Sequence, residues 1–291
     1  MPFTLSHAAA VLPAVRGDGT GRARLVPAML LAGSFAPDMT YYAANVLPGA
    51  MEFGEVTHSV PGVFSVDAAT AWASAWLWLA VREPLVALLP RARQGRPAAL
   101  LRCGAPPSRV TASLVLRWYV SAVLGALTHV VWDAFTHPGR WGVRLFPVLG
   151  HEAAGAPLYW CLQYGSSAAA AVVIVWFMVR ALRRAPAAGA PGVPLLSVRD
   201  RWWAGAVIAG CAAAGAAQRV SESWTGPGGT LLDLVPAVCF GTGAGLAVGV
   251  VAYATGLRAL RARREPERDA GTPTRALAGP TPGGGRDARG A

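Results

Sequence analysis

Residues 113–138 read SLVLRWYVSAVLGALTHVVWDAFTHP. The run is apolar for long enough to cross a bilayer core, which takes about 20 residues in a helix. Yet it closes on His129, Asp133 and His137, spaced four apart. A step of four along an α-helix turns the side chain by only about 40 degrees, so the three project from one stripe. Ionisable groups inside a membrane-spanning segment are costly and mark functional positions. Imidazoles and a carboxylate on one stripe suit a divalent metal. The helix is expected to end near His137, because Pro138 follows. Asp133 has a second reading, as the hydrogen-bond partner that orients a neighbouring histidine.

The rest of the chain repeats the apolar pattern. Of 291 residues, 54% are hydrophobic and 14% charged, with a mean hydropathy of +0.39, well outside the balance of an ordinary soluble domain. Apolar runs at 62–81, 113–135, 157–180, 202–218 and 231–257 predict an all-α fold: a polytopic membrane helix bundle of about five transmembrane helices plus an N-terminal helical segment. The stretch 25–38, LVPAMLLAGSFAPD, is short for a crossing, and reads as a buried or re-entrant helix ending at Pro37, with a sixth span as the alternative. Residues 1–257 therefore form one membrane-embedded domain. Residues 258–291, rich in Pro, Gly and Arg, read as a disordered tail.

The net charge is +11, and all 26 basic residues are arginines. They cluster between apolar runs, which is a topology signal and no argument for nucleic-acid binding. Arg82, Arg91, Arg93, Arg96, Arg102 and Arg109 separate the first two spans, Arg183, Arg184, Arg199 and Arg201 the third and fourth, and Arg258, Arg261, Arg263 and Arg264 follow the fifth. The positive-inside rule makes these regions cytoplasmic, with the tail, and puts residues 1–61 and the end of the second span outside. The protein is thus expected in the cell membrane, with the metal stripe facing the exterior and the lipid bilayer as its surroundings.

Further candidates precede the first span: His7, Asp38 and His58. Asp38 after Pro37 could cap the following helix or ligate metal. More than four such ligands could hold two metals sharing a water. Asp67 is a weaker candidate inside the first span, Glu52 and Glu55 read as solvated loop charges, and His151 with Glu152 as a solvated pair or a proton shuttle. Cys103, Cys161, Cys211 and Cys239 lack the paired spacing of a zinc site. The glycines of GTGAGLAVG, 241–249, sit mid-span with no strand before them, and read as helix packing rather than a dinucleotide loop.

Four motifs, MPFTLSHAAAVLP, AGSFAPDMTYY, VTHSVPG and LTHVVWDAFTHP, occur in an order that resembles the bacterial multi-spanning membrane family catalogued as domain of unknown function 4184. The same order is similar to inner-membrane proteins described as metal-dependent hydrolases, and more distantly to zinc-dependent phospholipase C and P1-type nucleases. Carried over by position, the resemblance implies His7, Asp38, His58, His129 and Asp133 as metal ligands, to which the helical spacing adds His137. Imidazole and carboxylate together suit zinc, manganese or iron, and zinc is the expected metal, with manganese the alternative. The expected activity is hydrolysis of a phosphoester, on a lipid or headgroup substrate at the outer surface. Asp38 or Asp133 is the candidate proton acceptor where it does not ligate. The phospholipases begin with a metal-ligating tryptophan that has no counterpart here. The alternative is a non-catalytic scaffold or transport component with a structural metal or polar cluster.

Overall fold

The computed structural model describes residues 3–102, 110–153, 155–187, 189–223 and 234–270, with side chains through Ala262. Helices dominate it, and every predicted span falls on one: Val66–Ala87, Ala112–Thr136, Leu158–Arg184, Val198–Ser223 and Leu234–Ala270. Among the described residues, three stretches are long and apolar enough to cross a membrane: Ala112–Thr136, Leu158–Arg184 and Leu234–Ala262. The other two are diluted by polar groups. Asp67, Arg82 and Glu83 lie on the Val66–Ala87 helix, while Arg199, Asp200, Arg201 and Arg219 lie on Val198–Ser223. The last helix runs on to Ala270, into the segment read as a tail. Residues 271–291, like Cys103 and the 224–233 connection, lie outside the described residues.

The 25–38 stretch forms a short helix, Pro27–Phe35, continued by a 3-10 turn over Ala36–Asp38. Nine residues rise only about 13 Å, so this helix cannot cross a bilayer. It is instead the hub of the core. Pro27 starts it, where a missing N–H costs nothing, and the free N–H of Val26 donates to Ser121 Oγ at 2.9 Å. Gly33 then crosses Gly125 of the Ala112–Thr136 helix. A Cβ on Gly33 would run into the Ala122 carbonyl, and one on Gly125 into the Leu30 carbonyl. Only glycines let these backbones approach so closely. Met29, Ala32, Ala36, Ala71, Trp118 and Ala122 close the apolar core around the crossing.

The glycines of 241–249 pack as the spacing predicts. Gly245 lies against the backbone of Cys211, and Gly241 against Gly215, so the last two long helices meet in close backbone contact.

A candidate metal centre at the end of the second apolar helix

Each residue of the centre is placed by a different local device. His129 and Asp133 lie one turn apart on the Ala112–Thr136 helix. Asp38 ends the 3-10 turn after the Pro27–Phe35 helix, so the glycine crossing that packs the two helices also brings its carboxylate beside His129. The two readings of Asp38 separate here: it makes no side-chain capping hydrogen bond, and Oδ2 accepts from Thr4 Oγ1 at 2.5 Å while Oδ1 faces the histidines. His58 follows the short Gly54–Thr57 helix. Its loop is anchored by Thr57 Oγ1, which donates to the Pro37 carbonyl at 2.8 Å.

Asp38, His58, His129 and Asp133 are all buried, and one ligand atom from each lies within 4.8 Å of the other three. His129 Nε2 is 3.4 Å from Asp38 Oδ1 and 3.5 Å from Asp133 Oδ2. His58 Nε2 is 3.6 Å from each of the same two oxygens. These separations are long for hydrogen bonds, which fall near 2.7–3.2 Å. They match the edge of a tetrahedron of donors about 2.0–2.1 Å from a common centre, roughly 3.4 Å.

The other ring nitrogens fix the tautomers. His129 Nδ1 lies 2.7 Å from the Ser34 carbonyl, and His58 Nδ1 2.9 Å from the Gly54 carbonyl. A carbonyl can only accept, so each Nδ1 carries the proton and each Nε2 turns its lone pair inward, the outer-shell arrangement of metal-ligating histidines. Lone pairs and carboxylates then converge on one point and repel one another unless a positive charge lies between them. Asp38 Oδ1 and His129 Nε2 are indeed buried without a hydrogen-bond partner, and such orphans are costly. The donor set fits a divalent metal.

Electrostatics run the same way. Burial pushes the His58 pKa down, but the Asp133 and Asp38 carboxylates that face the ring outweigh it and raise the pKa. His7 is different. Fully buried, and close to His129, it is lowered to about 3 and stays neutral. Its ring stacks on that of His129, centroids 3.6 Å apart, and its Nε2 lies 3.4 Å from Asp133 Oδ1. His7 therefore adjoins the quartet, with both ring nitrogens buried and without a hydrogen-bond partner. His137 stands beyond the helix end at Thr136, on extended backbone, with Nδ1 near Thr136 Oγ1 and the Asp133 carbonyl and Nε2 3.4 Å from Gln163 Nε2. Burial lowers it to about 4. Asp67 is buried with both oxygens unpartnered, outside the quartet. His151, Glu152, Glu52 and Glu55 are exposed.

The quartet is not sealed. His58 and Asp133 form part of the wall of a cavity of about 560 Å³, which also carries Glu55, Arg140, Trp141 and Arg144. Arg140 pairs with Glu55 at 3.7 Å. Glu55 reads from the sequence as a solvated loop charge, and Arg140, Trp141 and Arg144 are not singled out there as site residues. The signal was present in GRWGVR, 139–144, a basic and aromatic run just past the metal stripe.

The family described as a domain of unknown function (DUF4184) matches residues 1–255. No curated protein and no solved structure matches the chain.

Proposed function

The chain belongs to the DUF4184 family, and from the site inside that domain we propose that it is a multi-pass membrane protein acting as a metal-dependent hydrolase on a phosphoester, with a lipid or its headgroup as substrate. In this reading all five long helices lie in the membrane and the site faces outward, in keeping with the arginine distribution. The observation that carries it is the open side of the quartet: structural metal sites are closed, whereas catalytic ones keep a position free for substrate, and His58 and Asp133 border a cavity.

Asp38, His58, His129 and Asp133 would hold the metal, zinc or manganese, which when bound supplies Lewis-acid polarisation and an acidified water. The chain's own residues do the rest. Arg140 and Arg144 bring positive charge to the cavity and draw in a phosphoryl group. Of the two carboxylates, Asp38 has its second oxygen occupied by Thr4. Asp133 Oδ1 is buried without a hydrogen-bond partner, 3.4 Å from His7 Nε2, so Asp133 is the better placed of the two to accept a proton where it does not ligate.

One observation favours a second reading. Thr4 binds Asp38, Ser6 meets Ser167 at 3.3 Å, and His7 stacks on His129, so the same cluster ties the N-terminal segment to the long helices. A metal there would act as a clamp, raising stability without turnover. Elemental mass spectrometry on detergent-purified protein, followed by hydrolysis assays on a chromogenic phosphodiester and on phospholipids, separates the two. Stoichiometric metal with metal-dependent turnover, both lost in His129→Ala, is expected. Metal without turnover leaves the clamp, and protein that stays metal-free after incubation with zinc or manganese sinks both.

A further inference from the structure

A second cavity, of about 990 Å³, lies against the C-terminal turn of the Leu158–Arg184 helix, between the 91–97 turn and the 189–195 stretch. Four arginines line it, Arg91, Arg93, Arg96 and Arg183, and no Asp or Glu does. The nearest acid by chain position, Glu83, is already held by Arg102, with Nε and a terminal nitrogen each 2.8 Å from a carboxylate oxygen. Among the described residues none of the four arginines has a carboxylate within ion-pair distance.

The walls are built to stay in place. Gln94 is 3% exposed and donates to the Leu89 carbonyl, which sets the turn that carries Arg91 and Arg93. Arg102 also donates to the Pro191 carbonyl, and Val86, Ala87, Ala98 and Val193 pack behind the loop. Four exposed arginines around one cleft carry positive charge that no carboxylate there offsets, and a bound anion would offset it. The opposite side is aliphatic: Val179 and Leu182 come from the apolar helix itself, and Leu195 is 67% exposed.

We propose that this cleft binds one anionic phospholipid, its phosphate among Arg91, Arg93, Arg96 and Arg183 and its chains along Val179, Leu182 and Leu195. The cleft sits where an apolar helix of spanning length gives way to arginine, which is the level of lipid headgroups, and basic pockets at that level select anionic lipids. The phosphate chemistry is shared with free phosphate, but the aliphatic side is explained by a lipid alone. This site is independent of the metal centre.

The test is native mass spectrometry of the full chain with phosphatidylglycerol, with phosphatidylcholine, and with inorganic phosphate. One phosphatidylglycerol per chain should be retained in preference to phosphatidylcholine, and millimolar phosphate should not displace it. Combining Arg93→Gln, Arg96→Gln and Arg183→Gln should weaken retention on the order of a hundredfold, taking each arginine as roughly fivefold. A control of equal charge loss, Arg22→Gln with Arg24→Gln and Arg117→Gln, should bind as the wild type. Should the triple variant not fold, Arg93→Gln and Arg183→Gln singly should each show the fivefold loss. Equal retention of the two lipids, or equal loss in variant and control, overturns the site. Phosphate that binds unaided and displaces the lipid overturns the lipid assignment.

Discussion

The imidazole of His7 lies flat against that of His129, ring planes 17° apart, although one belongs to the N-terminal segment and the other to the second apolar helix. Because His7 stays outside the metal quartet, its replacement should separate packing from ligation. His7→Phe keeps a flat ring there and should retain full metal content. His7→Ala leaves a void and should lower stability by about 1–3 kcal/mol, read as a fall in Tm with metal still bound.

Loss of a ligand should behave differently. Asp38→Ala, His58→Ala and Asp133→Ala each remove one of the four converging atoms, and each should release the metal outright in elemental analysis. In the wild type, chelation should lower Tm, and zinc or manganese should restore it, because a metal that binds only the folded chain stabilises it by mass action.

Acid should unfold the protein through two neutral histidines, the buried His7 and the partly exposed His137. His7 at about 3 and His137 at about 4 both lie below the ordinary value of 6.5. Below pH 6.5 the unfolded chain therefore takes up protons that the folded chain refuses, and stability falls with pH across the window from about 6.5 down to 3. His58 has the opposite sign: its raised pKa lets protons compete with metal, so metal content should fall as pH is lowered. Tm and metal content followed together against pH check both statements. His7→Phe should remove part of the acid slope and leave the onset of metal loss in place.

The glycine crossing gives a fourth expectation. Gly33→Val or Gly125→Val would drive a side chain into a facing backbone carbonyl. Because overpacking forces backbone shifts costing about 1–3 kcal/mol or more, both variants should lose stability. They should also lose metal, although neither residue touches the site, because the crossing sets the separation of Asp38 from His129. A variant that melts early yet holds full metal would break that link.

On the proposed activity, Arg140→Ala and Arg144→Ala should raise KM for an anionic phosphodiester by about tenfold each, taking a charge-assisted contact as about 1.5 kcal/mol. Their effect on kcat should be small and their metal content normal. A neutral ester substrate serves as the comparison, since its KM should not move.

Much of this was readable in the chain. Steps of four put His129 and Asp133 on one face because a helix of that length has little other choice, and the apolar runs marked every long helix. His137 met the same spacing and lies outside the quartet, with its Nδ1 3.6 Å from Asp133 Oδ2. The helix stops at Thr136 ahead of Pro138, and extended backbone swings the ring toward Gln163. The groups that fix the two histidine tautomers, the carbonyls of Ser34 and Gly54, are backbone atoms, which no residue type announces. Glu55 read as a solvated charge, and it is exposed, but its pairing with Arg140 across the cavity is a tertiary fact. The spacing of glycines announced packing at 241–249 because it repeats on one helix. The Gly33 and Gly125 crossing joins two helices far apart in sequence and had no local signature.

The order in which the four ligands leave the ribosome follows from their places in the chain. Asp38 and His58 emerge well before His129 and Asp133, and with them comes a carboxylate whose receiving helix has not yet been made. Synthesis runs from the N-terminus at about 5–20 residues per second, so the early segment waits seconds, unpaired, for the helix that will complete it. A metal held by all four could therefore load only after the Ala112–Thr136 helix has been made, late in synthesis.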